Sequence, residues 1–157
     1  MSQQNRDVIV TNFIDPSDNE VSDNNINLVL LINDFVETLL NAKDSSVVDK
    51  LFDSSYIDHH PFYKSPSGNS NSFGTRQDIL GILELLSDPD IDLSFRLEDV
   101  ICSTDKIAYR LFGAGGIKQD KKLIGVSYES IGIFKVKNYK FVERWGPIII
   151  RAEGLNT

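Results

Sequence analysis

The periodicity of apolar residues changes once along this chain, and that change constrains the fold more than any other feature. Up to about residue 90, apolar residues recur at steps of three and four, the spacing of one face of a helix. Beyond it they alternate with polar residues, as in a strand that buries one face. Helices followed by consecutive strands without crossover helices predict an α+β fold with a mainly antiparallel sheet.

Three helices are predicted before the sheet. The first runs from about Asn25 to Asn41, a short second one follows, and the third begins at Thr75, which forms a capping-box variant with Asp78. Their inner faces carry Leu28, Leu31, Ile32, Phe35, Val36 and Leu39, then Val47, Val48, Leu51 and Phe52, then Ile79, Ile82, Leu83 and Leu86.

Four strands are predicted after the third helix, at 92–102, 107–112, 126–136 and 141–150. The pattern of the first strand shifts before Val100, the glycine-rich segment 113–116 allows a sharp bend or a bulge, and 118–122 has the composition of a hairpin tip. If the sheet curls, the helices close one end and leave a cone-shaped α+β barrel with an apolar interior.

Composition narrows the function classes. The 157 residues suit one domain, predicted at 25–157, preceded by a loosely ordered N-terminal arm at 1–24 that is rich in turn formers and acid. The net charge of −7, without a basic patch, argues against a nucleic-acid partner. One cysteine, Cys102, and no long apolar segment favour a cytoplasmic protein with no membrane span and no internal disulfide.

Both histidines lie in the stretch Tyr56 to Pro61. A histidine such as His59 beside Asp58 could donate or accept a proton near neutral pH. A His-His-Pro turn is also typical of a polar helix exit, with His59 bonded to a carbonyl, and both interpretations stay open. The polar loop 64–74 is either a lid over a site or an insertion.

Five short motifs occur in order between residues 25 and 150. They are Tyr56-x-x-His59-x-Pro61, Gly74-Thr75-Arg76, Asp88-Pro89-Asp90-Ile91, Glu98-Asp99-Val100-Ile101 leading to Asp105-Lys106-Ile107-Ala108-Tyr109-Arg110, and Phe141-Val142-Glu143-Arg144-Trp145. This order resembles the SnoaL-like polyketide cyclases, within the nuclear transport factor 2-like superfamily. The resemblance implies three helices on a strongly bent sheet, a deep pocket and a homodimer, which we expect to form through the sheet.

The resemblance also implies a ring closure by an intramolecular aldol reaction, in which an acidic residue moves the protons without metal or cofactor. The acid of the cyclases follows the last-strand tryptophan, here Trp145, but 146–150 contains no carboxylate. The family's histidine is likewise missing from 113–116. The aldol mechanism therefore does not carry over as it stands.

Alternation in the last strand places Phe141, Glu143 and Trp145 on one face. The resemblance implies that this face lines the pocket, where apolar surroundings would raise the pKa of Glu143. The other interpretation is an ion pair between Glu143 and an arginine, namely Arg96, Arg110 or Arg144.

The predicted catalytic residues are thus His59, Asp58 and Glu143, and the predicted ligand-binding residues are Tyr56, Phe62, Tyr109, Tyr128 and Trp145. We expect no metal, because two adjacent histidines in a turn cannot both enter one tight site, and the resemblance implies that no cofactor is needed. Two functions stay open: a cofactor-free cyclase, isomerase or hydrolase of a hydrophobic keto or polyketide-like substrate, or a non-catalytic binding protein for an apolar small molecule. A third interpretation is a protein–protein adaptor.

Overall fold

The computed structural model describes residues 23–60, 74–120 and 122–153. Its helices are α1 (Asp23–Asp34), which continues as a π-helical segment (Phe35–Asn41), then α2 (Val48–Leu51) after a single 3-10 turn (Ser45–Val47), and α3 (Arg76–Leu86). Its strands are β1 (Phe52–Asp58), β2 (Gly74–Thr75), β3 (Ile91–Cys102), β4 (Lys106–Gln119), β5 (Lys122–Lys137), β6 (Lys140–Trp145) and β7 (Ile148–Glu153). Most of the predicted arm, most of the loop 64–74 and Phe62 lie outside the described residues.

The strands form one seven-stranded sheet in the order β2-β1-β6-β5-β4-β3, with β7 also paired to β5. Every pairing in the described part is antiparallel except that of β1 with β6, which is parallel. The three helices pack on one face of this curled sheet, which does not close into a barrel. The predicted α+β class with a mainly antiparallel sheet is confirmed.

The core lies between the helices and this inner face of the sheet. Phenylalanines from both layers meet there: the Phe35 ring is 5.4 Å from that of Phe134 and 5.9 Å from that of Phe141, edge to face in both pairs. The Asn41 side chain ties the helix end to β3, since its amide donates to Phe95 O at 2.8 Å and its carbonyl accepts from Phe95 N at 2.8 Å.

Two sequence expectations are wrong at the level of elements: the extent of the second helix and the unbroken last strand. The second helix stops at Leu51, and Phe52 begins strand β1, which lies parallel to β6. Its polar run Asp53–Ser55 hides the strand from pattern analysis. The predicted register shift in β3 is present, between Leu97 and Asp99, whereas β4 passes through the glycine-rich segment without any shift.

The predicted last strand is two strands, because the chain breaks at Gly146. This residue has φ +135°, and a Cβ there would lie 2.2 Å from Ile131 O, so only glycine fits without strain.

A second irregularity, a bulge in β6, precedes this break. Val136 faces Phe141 and Lys135 faces Glu143, so one residue of β6 bulges out between these pairs.

Candidate functional site

A cavity of about 150 Å³ lies between the helices and the inner face of the sheet. Its walls are mostly aliphatic and aromatic side chains. They come from the first helix (Phe35, Leu40), from α3 (Ile79, Ile82, Leu83, Leu85, Leu86) and from the sheet (Ile91, Leu93, Phe95, Leu111, Ile117, Val126, Phe134, Ile148, Ile150). The polar side chains in the wall are Tyr56, Asp58, Tyr109, Tyr128 and Arg144.

Arg144 on β6 organises these polar groups. Its Nη1 donates to both oxygens of the Asp58 carboxylate, at 3.1 and 3.2 Å, and to the His60 carbonyl at 3.1 Å. Nε donates to Tyr109 Oη at 2.7 Å, and Nη2 donates to Ser130 Oγ at 2.9 Å. Asp58 and Arg144 are only 7% and 5% exposed, so this is a buried ion pair with its hydrogen bonds largely satisfied.

The backbone makes room for this network. A Cβ at position 132 would lie 2.6 Å from Tyr109 Oη, so Gly132 is what lets the Tyr109 side chain reach Arg144 across the sheet. Asp58 Oδ1 also accepts from the backbone N–H of His60 at 3.0 Å. The carboxylate is therefore fixed from two sides at the end of β1.

Tyr56 differs from the other polar groups. Its side chain is 2% exposed and packs edge-on against Phe52, with ring centroids 4.8 Å apart. Its hydroxyl is buried and has no hydrogen-bond partner in the described part of the chain. A buried unpaired hydroxyl costs about 1–3 kcal/mol, so a ligand oxygen that accepts from it would recover stability.

Burial determines the protonation of the tyrosines. Desolvation raises the pKa of Tyr56 well above its ordinary value, and the nearby Asp58 carboxylate raises it further. Desolvation likewise raises the pKa of Tyr128 to about 12. Burial alone would lower the pKa of Arg144, but the contacts with Tyr109 and Asp58 outweigh it and the pKa is raised. At neutral pH Arg144 is therefore charged and both tyrosines are neutral donors.

The prediction that the Trp145 face lines the pocket is wrong. Trp145 pairs with Ile133 and Glu143 pairs with Lys135, and cross-strand partners lie on the same face of a sheet. Ile133 is 43% exposed, while its neighbour Phe134, whose side chain points the other way, is fully buried. The bulge in β6 therefore turns Phe141 and Arg144 inward together and leaves Glu143 and Trp145 on the outer face.

His59 joins this outer group rather than the cavity wall. Its ring stacks on Trp145 with centroids 4.7 Å apart and planes 5° from parallel, and its Nε2 lies 3.3 Å from Glu143 Oε2. The expected rise in the pKa of Glu143 is also wrong, because hydrogen bonds from His59 and Lys135 lower it. The partners of Glu143 are thus His59 and Lys135, none of the arginines considered from the sequence.

The structure therefore divides the predicted site residues into two groups. Asp58, Tyr56, Tyr109 and Tyr128 line the cavity, whereas His59, Glu143 and Trp145 meet on the outer face. Sequence analysis missed the site role of Arg144 and of Ser130. No local pattern marks either residue, since the Arg144 partner Asp58 comes from a strand that was not recognised and Ser130 is bonded to Arg144 itself. Catalysis and ligand binding by any of these residues stay predictions.

Other features of the described residues bear on the site. No three of their histidine, cysteine or acidic side chains are placed together to hold a metal ion. None of the described helices has the length and apolar character needed to cross a membrane. Burial raises the pKa of Cys102 to about 11, so its thiol is protonated at neutral pH and a poor nucleophile.

No protein-family model matches this sequence, and no match is found among curated proteins. Solved structures do match. IdmH of Streptomyces antibioticus, described as a candidate polyketide cyclase, superposes with a TM-score of 0.63 at 16% identity, over 78% of this chain and 89% of that chain.

Two further structures agree in fold. A candidate SnoaL-like polyketide cyclase of Jannaschia superposes with a TM-score of 0.61 at 10% identity, over 83% of this chain and 91% of that chain. A nuclear transport factor 2-like protein of Anabaena variabilis gives 0.59 at 11% identity, over 85% and 95%. Sequence identities this low support a shared fold only, so any activity has to be argued from the site.

Proposed function

We propose that this chain, which has the SnoaL-like fold of the nuclear transport factor 2-like superfamily, binds an apolar small molecule that carries a carbonyl-type oxygen. This proposal is based on the Tyr56 hydroxyl, which has no hydrogen-bond partner among the described residues and lies in a mostly apolar cavity. Small-molecule sites are typically apolar clefts with few, well-placed polar groups. We place the protein in the cytoplasm, in keeping with the expectation from its sequence.

The cavity supplies what such a ligand needs. Aliphatic side chains from α3 and β7 offer an apolar surface for its body, and about 25 cal/mol is gained per Å² of apolar surface that is removed from water. The Tyr56 hydroxyl, which has no partner among the residues that the structure describes, offers this ligand a hydrogen bond. The gain from pairing this group therefore comes in addition to the hydrophobic contribution.

Tyr56→Phe tests this proposal through two opposite effects. Removing a buried unpaired hydroxyl should raise the free energy of unfolding by about 1 kcal/mol. It should also weaken the binding of methyl hexyl ketone about tenfold, the equivalent of ~1.4 kcal/mol for one lost hydrogen bond. Urea unfolding measures the first effect and isothermal titration calorimetry the second.

Tyr139→Phe is the matched control, because it deletes the same atom from a side chain that is 55% exposed and outside the cavity wall. It should change neither quantity. If Tyr56→Phe binds the ketone as tightly as the unsubstituted protein, Tyr56 does not hold the ligand oxygen and the proposal fails.

A second function, turnover by acid–base chemistry, is favoured by one observation. Asp58, a carboxylate, and Tyr56, a neutral donor, line the same cavity and interact electrostatically. Asp58 could take a proton from the carbon next to a bound carbonyl while Tyr56 donates to the oxygen that gains charge. Delivery of a solvent proton to the same carbon gives exchange, and delivery to the far carbon of a conjugated enolate gives isomerisation, without cofactor. Ring closure of a polyketide-like substrate would begin with the same proton removal.

Proton exchange at the carbons next to the carbonyl of methyl hexyl ketone, followed by NMR in deuterated water, tests turnover. The protein should accelerate this exchange, and Asp58→Asn should abolish the acceleration because an amide cannot take the proton. His59→Gln should leave it unchanged, since His59 lies outside the cavity wall.

The converse result, exchange lost in His59→Gln and kept in Asp58→Asn, would contradict this assignment and favour the histidine predicted from the sequence. Ketone binding without any acceleration would identify the chain as a binding protein instead.

We further propose that two copies of the chain associate through the outer face of the sheet. Ile101, Ile133 and Trp145 occupy one row across β3 to β6, and Ile131 and Ile149 lie on the same face. The four isoleucines are 43–60% exposed, which is unusual for neighbouring apolar residues on one face.

The charges on this outer face support a second copy as the occupant. Arg110 pairs with Glu98 and Glu129 within the chain, at 3.3 and 3.0 Å. Both signs of charge are therefore present on this face, and neither forms a block of its own around Arg110. A symmetric dimer places each apolar row against its own copy.

Ile131→Lys should convert a dimer into a monomer, because it buries a charge in the proposed contact. Sedimentation velocity measures the change in mass. Leu30→Lys is the matched control: Leu30 is 57% exposed but lies on α1, so this variant should stay dimeric. A monomeric unsubstituted protein, or an Ile131→Lys variant that stays dimeric, would contradict the proposal.

A further inference from the structure

The charges in the cavity wall cancel. Among the described residues that line it, Asp58 is the acid and Arg144 the base, and the two are paired at 3.1 Å. The remaining lining residues are apolar or tyrosine. The cavity thus contains polar groups but no net charge to offer a ligand.

Arg144 is also nearly saturated as a donor. A guanidinium has five N–H groups. Nε donates a hydrogen bond to Tyr109, and the two hydrogens of Nη1 bond to Asp58 and the His60 carbonyl. One hydrogen of Nη2 bonds to Ser130. A single Nη2 hydrogen remains, so Arg144 cannot form the two parallel bonds by which arginine normally grips a carboxylate.

An anionic ligand would therefore meet an unfavourable site. Its head group would lose its water in an apolar cavity, find the guanidinium already neutralised, and lie near the Asp58 carboxylate. A neutral carbonyl loses less on desolvation and carries no charge for Asp58 to repel. It needs one donor, and the Tyr56 hydroxyl has no partner within 23–60, 74–120 and 122–153.

We propose that the pocket selects uncharged carbonyl compounds with an aliphatic body, such as ketones, esters or lactones, and rejects carboxylates of the same size. This inference rests on the proposed function and narrows its ligand class. The Asp58–Arg144 pair determines the selectivity, because it neutralises the charge that a carboxylate would require.

The test compares methyl hexyl ketone with octanoate, which have the same number of carbons, by isothermal titration calorimetry at about pH 8, where octanoate is ionised. The unsubstituted protein should bind the ketone at least about tenfold more tightly. Asp58→Asn should reverse the preference, since Arg144 then carries an uncompensated charge and octanoate should gain about tenfold or more.

Glu129→Gln is the matched control. It also removes a carboxylate from an arginine pair, but Glu129 and its partner Arg110 lie outside the cavity wall. This variant should retain the preference of the unsubstituted protein. If circular dichroism shows that Asp58→Asn does not fold, the neutral pair Asp58→Asn/Arg144→Gln replaces it, and should still prefer the ketone.

The outcomes separate the two proposals. Octanoate binding as tight as ketone binding in the unsubstituted protein overturns the selectivity but leaves the carbonyl pocket in place. An unchanged preference in folded Asp58→Asn, or loss of the preference in the neutral pair, also overturns it. Failure of the unsubstituted protein to bind either compound overturns the pocket and the selectivity together.

Discussion

The buried pair of Asp58 and Arg144 is the interaction on which the rest of this structure depends. It joins β1 to β6 on the inner face, at the parallel pairing of an otherwise antiparallel sheet. The backbone reinforces the same junction, because His59 N donates to Arg144 O at 2.9 Å while Arg144 Nη1 donates to the His60 carbonyl. Breaking a buried pair by removing one partner typically costs about 3–5 kcal/mol. The junction thus fixes the end of β1 against β6, and with it the polar part of the cavity wall.

The same pair defines the chemistry that the cavity can perform. It neutralises Asp58 and occupies most of the Arg144 donors, while the Tyr56 hydroxyl has no hydrogen-bond partner among the described residues. Under the proposal made above, a pocket of this kind recognises a neutral acceptor rather than a charge. The carboxylate in this cavity comes from β1, whereas the resemblance to the cyclases implies an acid after the last-strand tryptophan. Stability and ligand choice therefore have a common origin.

The order of the elements could be predicted from the sequence because it rests on local periodicity. The stripes of the first and third helices, the capping box at Thr75 and Asp78, and the register shift in β3 all depend on residues close in the chain. The site depends on contacts between residues that are distant in the chain, which local patterns do not show. The polar run in β1 concealed a strand, and the bulge in β6 moved Glu143 and Trp145 to the outer face while it turned Arg144 inward. A shift of one residue in a strand reverses every side chain beyond it, so a prediction from strict alternation failed at that point.

A double-mutant cycle on Asp58 and Arg144 tests the central claim most directly. The free energies of unfolding of Asp58→Asn, Arg144→Gln and the double variant would be measured by urea denaturation and compared with that of the unsubstituted protein. Each single variant should lose about 3 kcal/mol, and the double variant should lose at least ~2 kcal/mol less than the sum of the two, because it leaves no charge buried alone. Losses that simply add would show that the two side chains are energetically independent, and would contradict the role assigned to the pair.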